Sequence, residues 1–231
     1  MRLEDLNWMD VESYLKQDDR LMLILGACEQ HGYLSLATDV RIPQAIADAA
    51  SERTGVLVAP PIHYGITATF SGYPGTISLR TVTFLQVVED LIRDMERQGF
   101  HRILVLNGHG GNSPARSVLK ELVNQLPQLR LAWHSWWESP GIAAIAEKHG
   151  LTGSHASWME AFPSTRVTDL PSGVKDVQIS NEILDAAATR AHYGDGVMGG
   201  AYQTTPEIID EVFEAAVSEV VTELVRLKAR A

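Results

Sequence analysis

The chain has 231 residues, 45% of them apolar and 21% charged, with a formal charge of −10. That is an ordinary globular mixture, long enough for a sizeable buried core, and its acidity without a Lys/Arg cluster excludes a phosphate-backbone binder. No apolar run reaches the about 18 residues of a membrane span, residues 1–6 lack the apolar middle of a signal peptide, and the single Cys28 closes no internal disulfide, so the expectation is one cytoplasmic domain over residues 1–231 with no nucleic-acid and no membrane partner.

In chain order, residues 21–27 form an apolar run that predicts a buried strand. Residues 41–53 predict a helix, with Ile42, Ala45, Ile46 and Ala49 on one face. Residues 56–59 predict a short strand stopped by Pro60 and Pro61. Residues 83–98 predict a long helix, because Phe84, Val87, Val88, Leu91, Ile92 and Met95 keep the helical period. A strand over 102–106, a helix over 113–126 and a strand over 129–133 follow. Residues 207–227 predict a C-terminal helix burying Ile208, Ile209, Val212, Phe213, Ala216 and Val220. Strands alternating with helices imply an α/β fold, a three-layer α/β/α sandwich with a mostly parallel central sheet. In such a sheet ligands bind outside the carboxyl ends of the strands.

The residues at those ends carry the chemistry. The first strand runs into Gly26-Ala27-Cys28-Glu29-Gln30-His31-Gly32, with Asp39 a few residues on. The third strand runs into Asn107-Gly108-His109-Gly110-Gly111-Asn112. Each feature alone has an ordinary reading: a hydrogen-bonded histidine, a solvated carboxylate, an Asn-Gly turn. Together they send Glu29, His31, Asp39 and His109 toward one crevice as candidate metal ligands. Imidazole with carboxylate suits zinc, manganese or iron(II). An extended Glu-x-His puts both side chains on the same side of the chain. One carboxylate, Asp39, has two oxygens with which to bridge two ions. A third group is Gly153-Ser154-His155-Ala156-Ser157-Trp158-Met159-Glu160. On a regular helix His155 and Glu160 stand about 140° apart. They converge only if His155 lies on the loop or first turn entering a helix, for which Ser154 is the candidate N-cap.

These motifs, with Thr38-Asp39 and Tyr73-Pro74-Gly75-Thr76-Ile77-Ser78-Leu79, together resemble the creatininase (creatinine amidohydrolase) family over about residues 15–205. The resemblance implies a homohexameric hydrolase that cleaves C–N bonds at a centre of two divalent metal ions, zinc first, with manganese or iron as alternatives. It places Glu29, Asp39 and His109 on one metal, and His31 with the bridging Asp39 on the other. In creatininase a Glu two residues after the motif histidine completes the second site. Here that position is Gly111, and Glu160 is the candidate replacement. An imidazole titrates near working pH, so His155 is the candidate catalytic group for the proton passed to the departing nitrogen, while Glu160 either ligates the second metal, the preferred reading, or orients His155.

The implied substrate is a small amide, cyclic amide or formamide, attacked by a metal-activated hydroxide. The missing Glu argues against creatinine itself. Hydrolysis of a small precursor peptide and a non-catalytic small-molecule binder are the alternatives. The loop from His31 to Asp39 is one residue shorter than usual, which sets Tyr33 or Leu34 where a polar pocket residue is expected. Trp133, Trp136, Trp137 and Trp158 are candidates to roof a planar substrate or to pack the core. Tyr73–Ser78 reads as a structural turn and a candidate subunit-interface segment, and the glycine-rich loop 194–200 is assigned no ligand.

Overall fold

The computed structural model describes residues 1–178 and 180–229. Its helices are α1 (Trp8–Leu15), α2 (Thr38–Thr54), α3 (Thr81–Arg97), α4 (Ala115–Gln125), α5 (Pro140–Lys148), α6 (Ala186–Tyr193) and α7 (Pro206–Ala229). Strands β1 (Arg20–Leu25), β2 (Leu57–Val58), β3 (Arg102–Asn107) and β4 (Arg130–Ser135) form one parallel sheet in the order β2-β1-β3-β4.

All six residues of β1 are buried. This is why the strand reads as an unbroken apolar run rather than an alternation: both of its faces are covered. Leu21, Leu23 and Leu25 pack with Phe84, Val88 and Ile92 of α3 and Leu119 and Leu122 of α4, and with the inner face of α1. Met22 and Ile24 point the other way, onto Ile42 and Ile46 of α2, Ile142 of α5 and Val212, Val220 and Leu224 of α7. The result is the expected three layers, and each such buried aliphatic side chain contributes roughly 1.5–3 kcal/mol. Among the described residues, no helix is long and apolar enough to cross a membrane.

Three helices and a short two-stranded antiparallel pair go beyond the sequence expectation. α1 opens on a capping box in which Asn7 and Asp10 bond reciprocally. α5 follows the Ser139 N-cap with Pro140 in its first turn. β5 (Val174–Lys175) pairs antiparallel with β6 (Gly200–Ala201), too briefly for any periodicity to register. α2 also begins at Thr38 rather than Arg41, which brings Asp39 into its first turn.

The register sets the site. Leu25 of β1 pairs with Asn107 of β3, and Asn107 with Ser135 of β4, so the three strands end level. The chain runs from β1 outward to β2 on one side and returns to β3 on the other. The crevice at this reversal lies between the exits of β1 and β3.

Candidate metal centre

Beyond β1 the chain stays extended. The Ile77 N–H donates to the Cys28 carbonyl at 3.0 Å and the Glu29 N–H to the Leu36 carbonyl at 3.0 Å. Glu29 and His31 are therefore held, both buried, at the mouth of the crevice. The Nδ1 of His31 lies 3.0 Å from the carbonyl oxygen of Glu29. A carbonyl only accepts, so Nδ1 carries a proton and Nε2 is the nitrogen left to face the crevice. That Nε2 stands 3.0 Å from Asp39 Oδ1 and 3.9 Å from Glu160 Oε2.

The exit of β3 repeats the device. The His109 Nε2–H donates to the Ile66 carbonyl at 2.9 Å, which leaves Nδ1 facing inward. This Nδ1 is 2.9 Å from Asp39 Oδ2 and 3.5 Å from Glu29 Oε2. Each oxygen of Asp39 thus meets one imidazole. Gly111, where a Glu was considered, has a structural reason: a Cβ there would strike the Ile66 carbonyl oxygen and crowd His109 Nε2. The missing side chain leaves that carbonyl free to hold the imidazole.

His155 and Glu160 converge, but not through a capped helix. Residues Trp158–Glu160 form a single 3-10 turn, and the Ser154 hydroxyl donates to the Gly199 carbonyl instead of capping. Ala156 takes a left-handed φ of 62°, a conformation that costs a non-glycine residue about 1–3 kcal/mol. It turns its N–H onto Glu160 Oε2 at 2.6 Å. The chain folds back, and His155 Nδ1 stands 3.7 Å from Glu29 Oε2. His155 Nε2 lies 3.0 Å from the Gln30 carbonyl, which accepts from it, and 3.0 Å from the Gln30 side-chain nitrogen. Its ring stacks on Phe70, with centroids 4.4 Å apart and planes 17° from parallel.

Three overlapping sets of donor atoms, each set within 4.8 Å, result: Glu29, Asp39 and His109; His31, Asp39 and Glu160; and Glu29, His31 and His155. The first groups the three residues that the resemblance places on one metal, and the second groups His31 and Asp39 with the candidate Glu160, so Asp39 is common to both. Two of the buried donor atoms, His31 Nε2 and Asp39 Oδ2, have no hydrogen-bond partner. Buried polar atoms are nearly always paired, so this donor set fits divalent cations. Titration behaviour agrees. Burial opposes charge on His31 and His109, yet Asp39 with Glu160 raises the first to about 10, and Asp39 with Glu29 raises the second to about 9. Burial lifts Glu29 to about 7 and also raises Glu160. Asp39 resists its burial and is lowered by the two imidazoles. Burial, reinforced by His31, holds His155 well below the ordinary histidine value.

Glu29, Asp39, His109, His155 and Glu160 line a cavity of about 400 Å³. Its apolar wall includes Phe70, Trp137, Met159 and Met198. Of the four tryptophans considered as a roof, Trp137 borders the cavity. Trp136 and Trp158 are fully buried in the core, and Trp133 lies beneath Arg116 on another face. Tyr33 and Leu34 do not line the cavity: Tyr33 meets Tyr202 edge-on at 5.8 Å, and Leu34 is buried. Phe70, the Ile66 carbonyl and the side chain of Gln30 escaped the sequence analysis. None belongs to a periodic pattern, and each acts across a long sequence separation.

Two level strand exits that turn two imidazoles onto one carboxylate define an α/β/α protein with a candidate dinuclear metal centre. Residues 4–224 match the family model for creatininase, described as creatinine amidohydrolase, and the chain belongs to the creatininase family. It is 37% identical over 116 residues to the creatinine amidohydrolase of Pseudomonas putida, covering 47% of this chain and 45% of that protein. It is 36% identical over 110 residues to the mycofactocin precursor peptide peptidase of Mycolicibacterium smegmatis, covering 45% and 44%. The chain thus spans about half the length of these curated relatives. A solved zinc–zinc form of a creatininase variant superposes with a TM-score of 0.83 at 25% identity, over 100% of this chain and 98% of that one.

Proposed function

We propose that this protein is a metal-dependent hydrolase that cleaves a C–N bond outside peptides, in a small amide, cyclic amide or formamide other than creatinine. The observation that carries the reading is Asp39, whose two oxygens each face a different buried imidazole. In this proposal Glu29, Asp39 and His109 hold one divalent cation, and His31, Asp39 and Glu160 hold the second. The zinc–zinc form of the structural relative favours zinc. Cations bound there would polarise the substrate carbonyl and make a water more acidic.

The chain's own groups supply the rest. The carbonyls of Glu29 and Ile66 each hold one ring N–H of His31 and His109, so the other nitrogen of each ring is aimed at the same place before anything binds. His155, neutral through burial and with Nδ1 toward the cavity, takes a proton from the attacking water and hands it to the departing nitrogen. Phe70 and Trp137 supply flat apolar walls for a compact planar substrate.

Hydrolysis of a precursor peptide is the second reading, supported by the likeness to the mycofactocin precursor peptidase. Assembly into a homo-oligomer, a hexamer by family resemblance, is supported by the apolar residues Leu36, Tyr64, Ile77 and Val82, all exposed. The test combines metal analysis with a substrate panel of formamides, cyclic amides and short peptides. About two metals per chain, lost together in Asp39→Ala along with hydrolysis of a small amide, is the expected result. Equal turnover by chelated protein, or tight ligand binding with no turnover of any member, overturns it.

A further inference from the structure

The glycine-rich loop 194–200 touches the His155 segment and Gln30 at once. The Met198 N–H donates to the His155 carbonyl at 3.2 Å. The Gly199 carbonyl accepts from the Ser154 hydroxyl. The Gly196 carbonyl accepts from Gln30 Nε2 at 3.0 Å, while Gln30 Oε1 accepts the Gly32 N–H at 2.9 Å. Gln30 is itself the residue whose carbonyl receives His155 Nε2–H. Gly196 has a φ of 91°, and a Cβ there would strike Gln30 Oε1, so loop and glutamine are fitted to each other.

The loop is in turn tied down from β5. Lys175 Nζ gives one proton to the Tyr193 carbonyl at 2.7 Å, one to Asp195 Oδ1 at 2.6 Å and one to the Val197 carbonyl at 2.7 Å. An ammonium has three protons, and all three are used on five residues of chain. The other oxygen of Asp195 accepts the Tyr202 hydroxyl at 2.9 Å.

We infer that Lys175 is a positioning residue for His155, acting through Asp195, the loop 194–200 and Gln30. The inference rests on the proton-handling role proposed above for His155. Without the ammonium, two carbonyls and a carboxylate lose their common donor, and Gly196 and Met198 keep only neutral backbone bonds, the Gly196 N–H to the Tyr193 carbonyl and the Gln178 N–H to the Met198 carbonyl. The Gln30 carbonyl and the His155 backbone then drift relative to each other, and the imidazole loses its fixed tautomer and aim. Of the proposed metal ligands only Glu160 shares the His155 segment that this loop touches, and there the Ala156 N–H holds it. Glu29 and His31 are held by the turn at Ile77 and by Leu36, and His109 by Ile66 and Asn107.

The test uses the zinc-loaded full chain. Exchange of the imidazole carbon-bound hydrogen with deuterated solvent is followed for each histidine by mass spectrometry. In Lys175→Met, His155 exchange is expected to accelerate on the order of tenfold, as local opening would give, with His31, His109 and the zinc content as in wild type. Asp195→Asn, which keeps the shape and removes the charge, moves His155 in the same direction by less, and decides the matter if Lys175→Met does not fold. A His155 rate within about twofold of wild type in the folded variants, or equal acceleration of all three histidines, overturns the inference. If His155→Ala leaves hydrolysis intact, the proton role falls, while the exchange rates still decide what Lys175 holds.

Discussion

Loading the chelated protein with zinc should release about two protons per chain near neutral pH. In the metal-free site the imidazoles of His31 and His109 titrate at about 10 and about 9. Near pH 7.5 both are almost fully protonated, the charges sitting against Asp39. Cations need the lone pairs that these protons occupy, so binding must displace them. Glu29, at about 7, adds a small fraction of a third. Titration calorimetry in buffers of different ionisation enthalpy counts the protons directly. Near pH 9.5 His109 has largely lost its proton and the count should fall to about one. The linkage also has a sign for stability. Both histidines are raised above their unfolded values, so their contribution is complete below about pH 6.5 and is lost as pH rises through about 9 and 10. Glu29 acts in the same direction between about pH 4.5 and 7, since its ionisation is opposed by burial. Above about pH 7, where His155 is neutral in both states, the chelated protein should therefore lose melting temperature as pH rises, and the zinc-loaded protein should not show the step between 9 and 10. Tight binding of two ions with no proton release, or with release independent of pH, would refute the assignment of both imidazoles to the metal site.

Gly111→Ala should lower zinc affinity about 10–100-fold, the range for disturbing a partner that orients a ligand, because the new methyl displaces the Ile66 carbonyl from His109. Gly110→Ala, where a Cβ meets open space, should leave zinc affinity unchanged in the same calorimetric assay. Trp136→Ala should cost about 3–5 kcal/mol in denaturant unfolding, as for a fully buried aromatic. Trp137→Ala, on the half-buried neighbour that faces the cavity, should cost less stability and raise KM for the amide substrate.

The scaffold is legible in the sequence because its signals are local. The unbroken apolar run of β1 and the helical period of α3 report burial directly. Glu29, His31 and His109 are legible for the same reason: they sit where strands end. Asp39 is legible as a residue but not as a helical one, since the residue before α2, Ala37, supplies no side-chain cap. His155 and Glu160 defeat the helical wheel. Their approach depends on a left-handed alanine, which no residue preference announces. The stacking of Phe70 on His155 and the grip of loop 194–200 on Gln30 join segments 85 to 166 residues apart. Composition and spacing carry no record of such contacts, which arise only when the sheet has set its loops side by side.

The central claim is that Asp39 bridges two cations, one beside His109 and Glu29 and the other beside His31 and Glu160. Anomalous difference maps from zinc-loaded crystals, collected on either side of the zinc edge, test it most directly. Two peaks about 3.5–4 Å apart, each against a different oxygen of Asp39, are predicted. A single peak, or a pair lying away from Asp39, would contradict it.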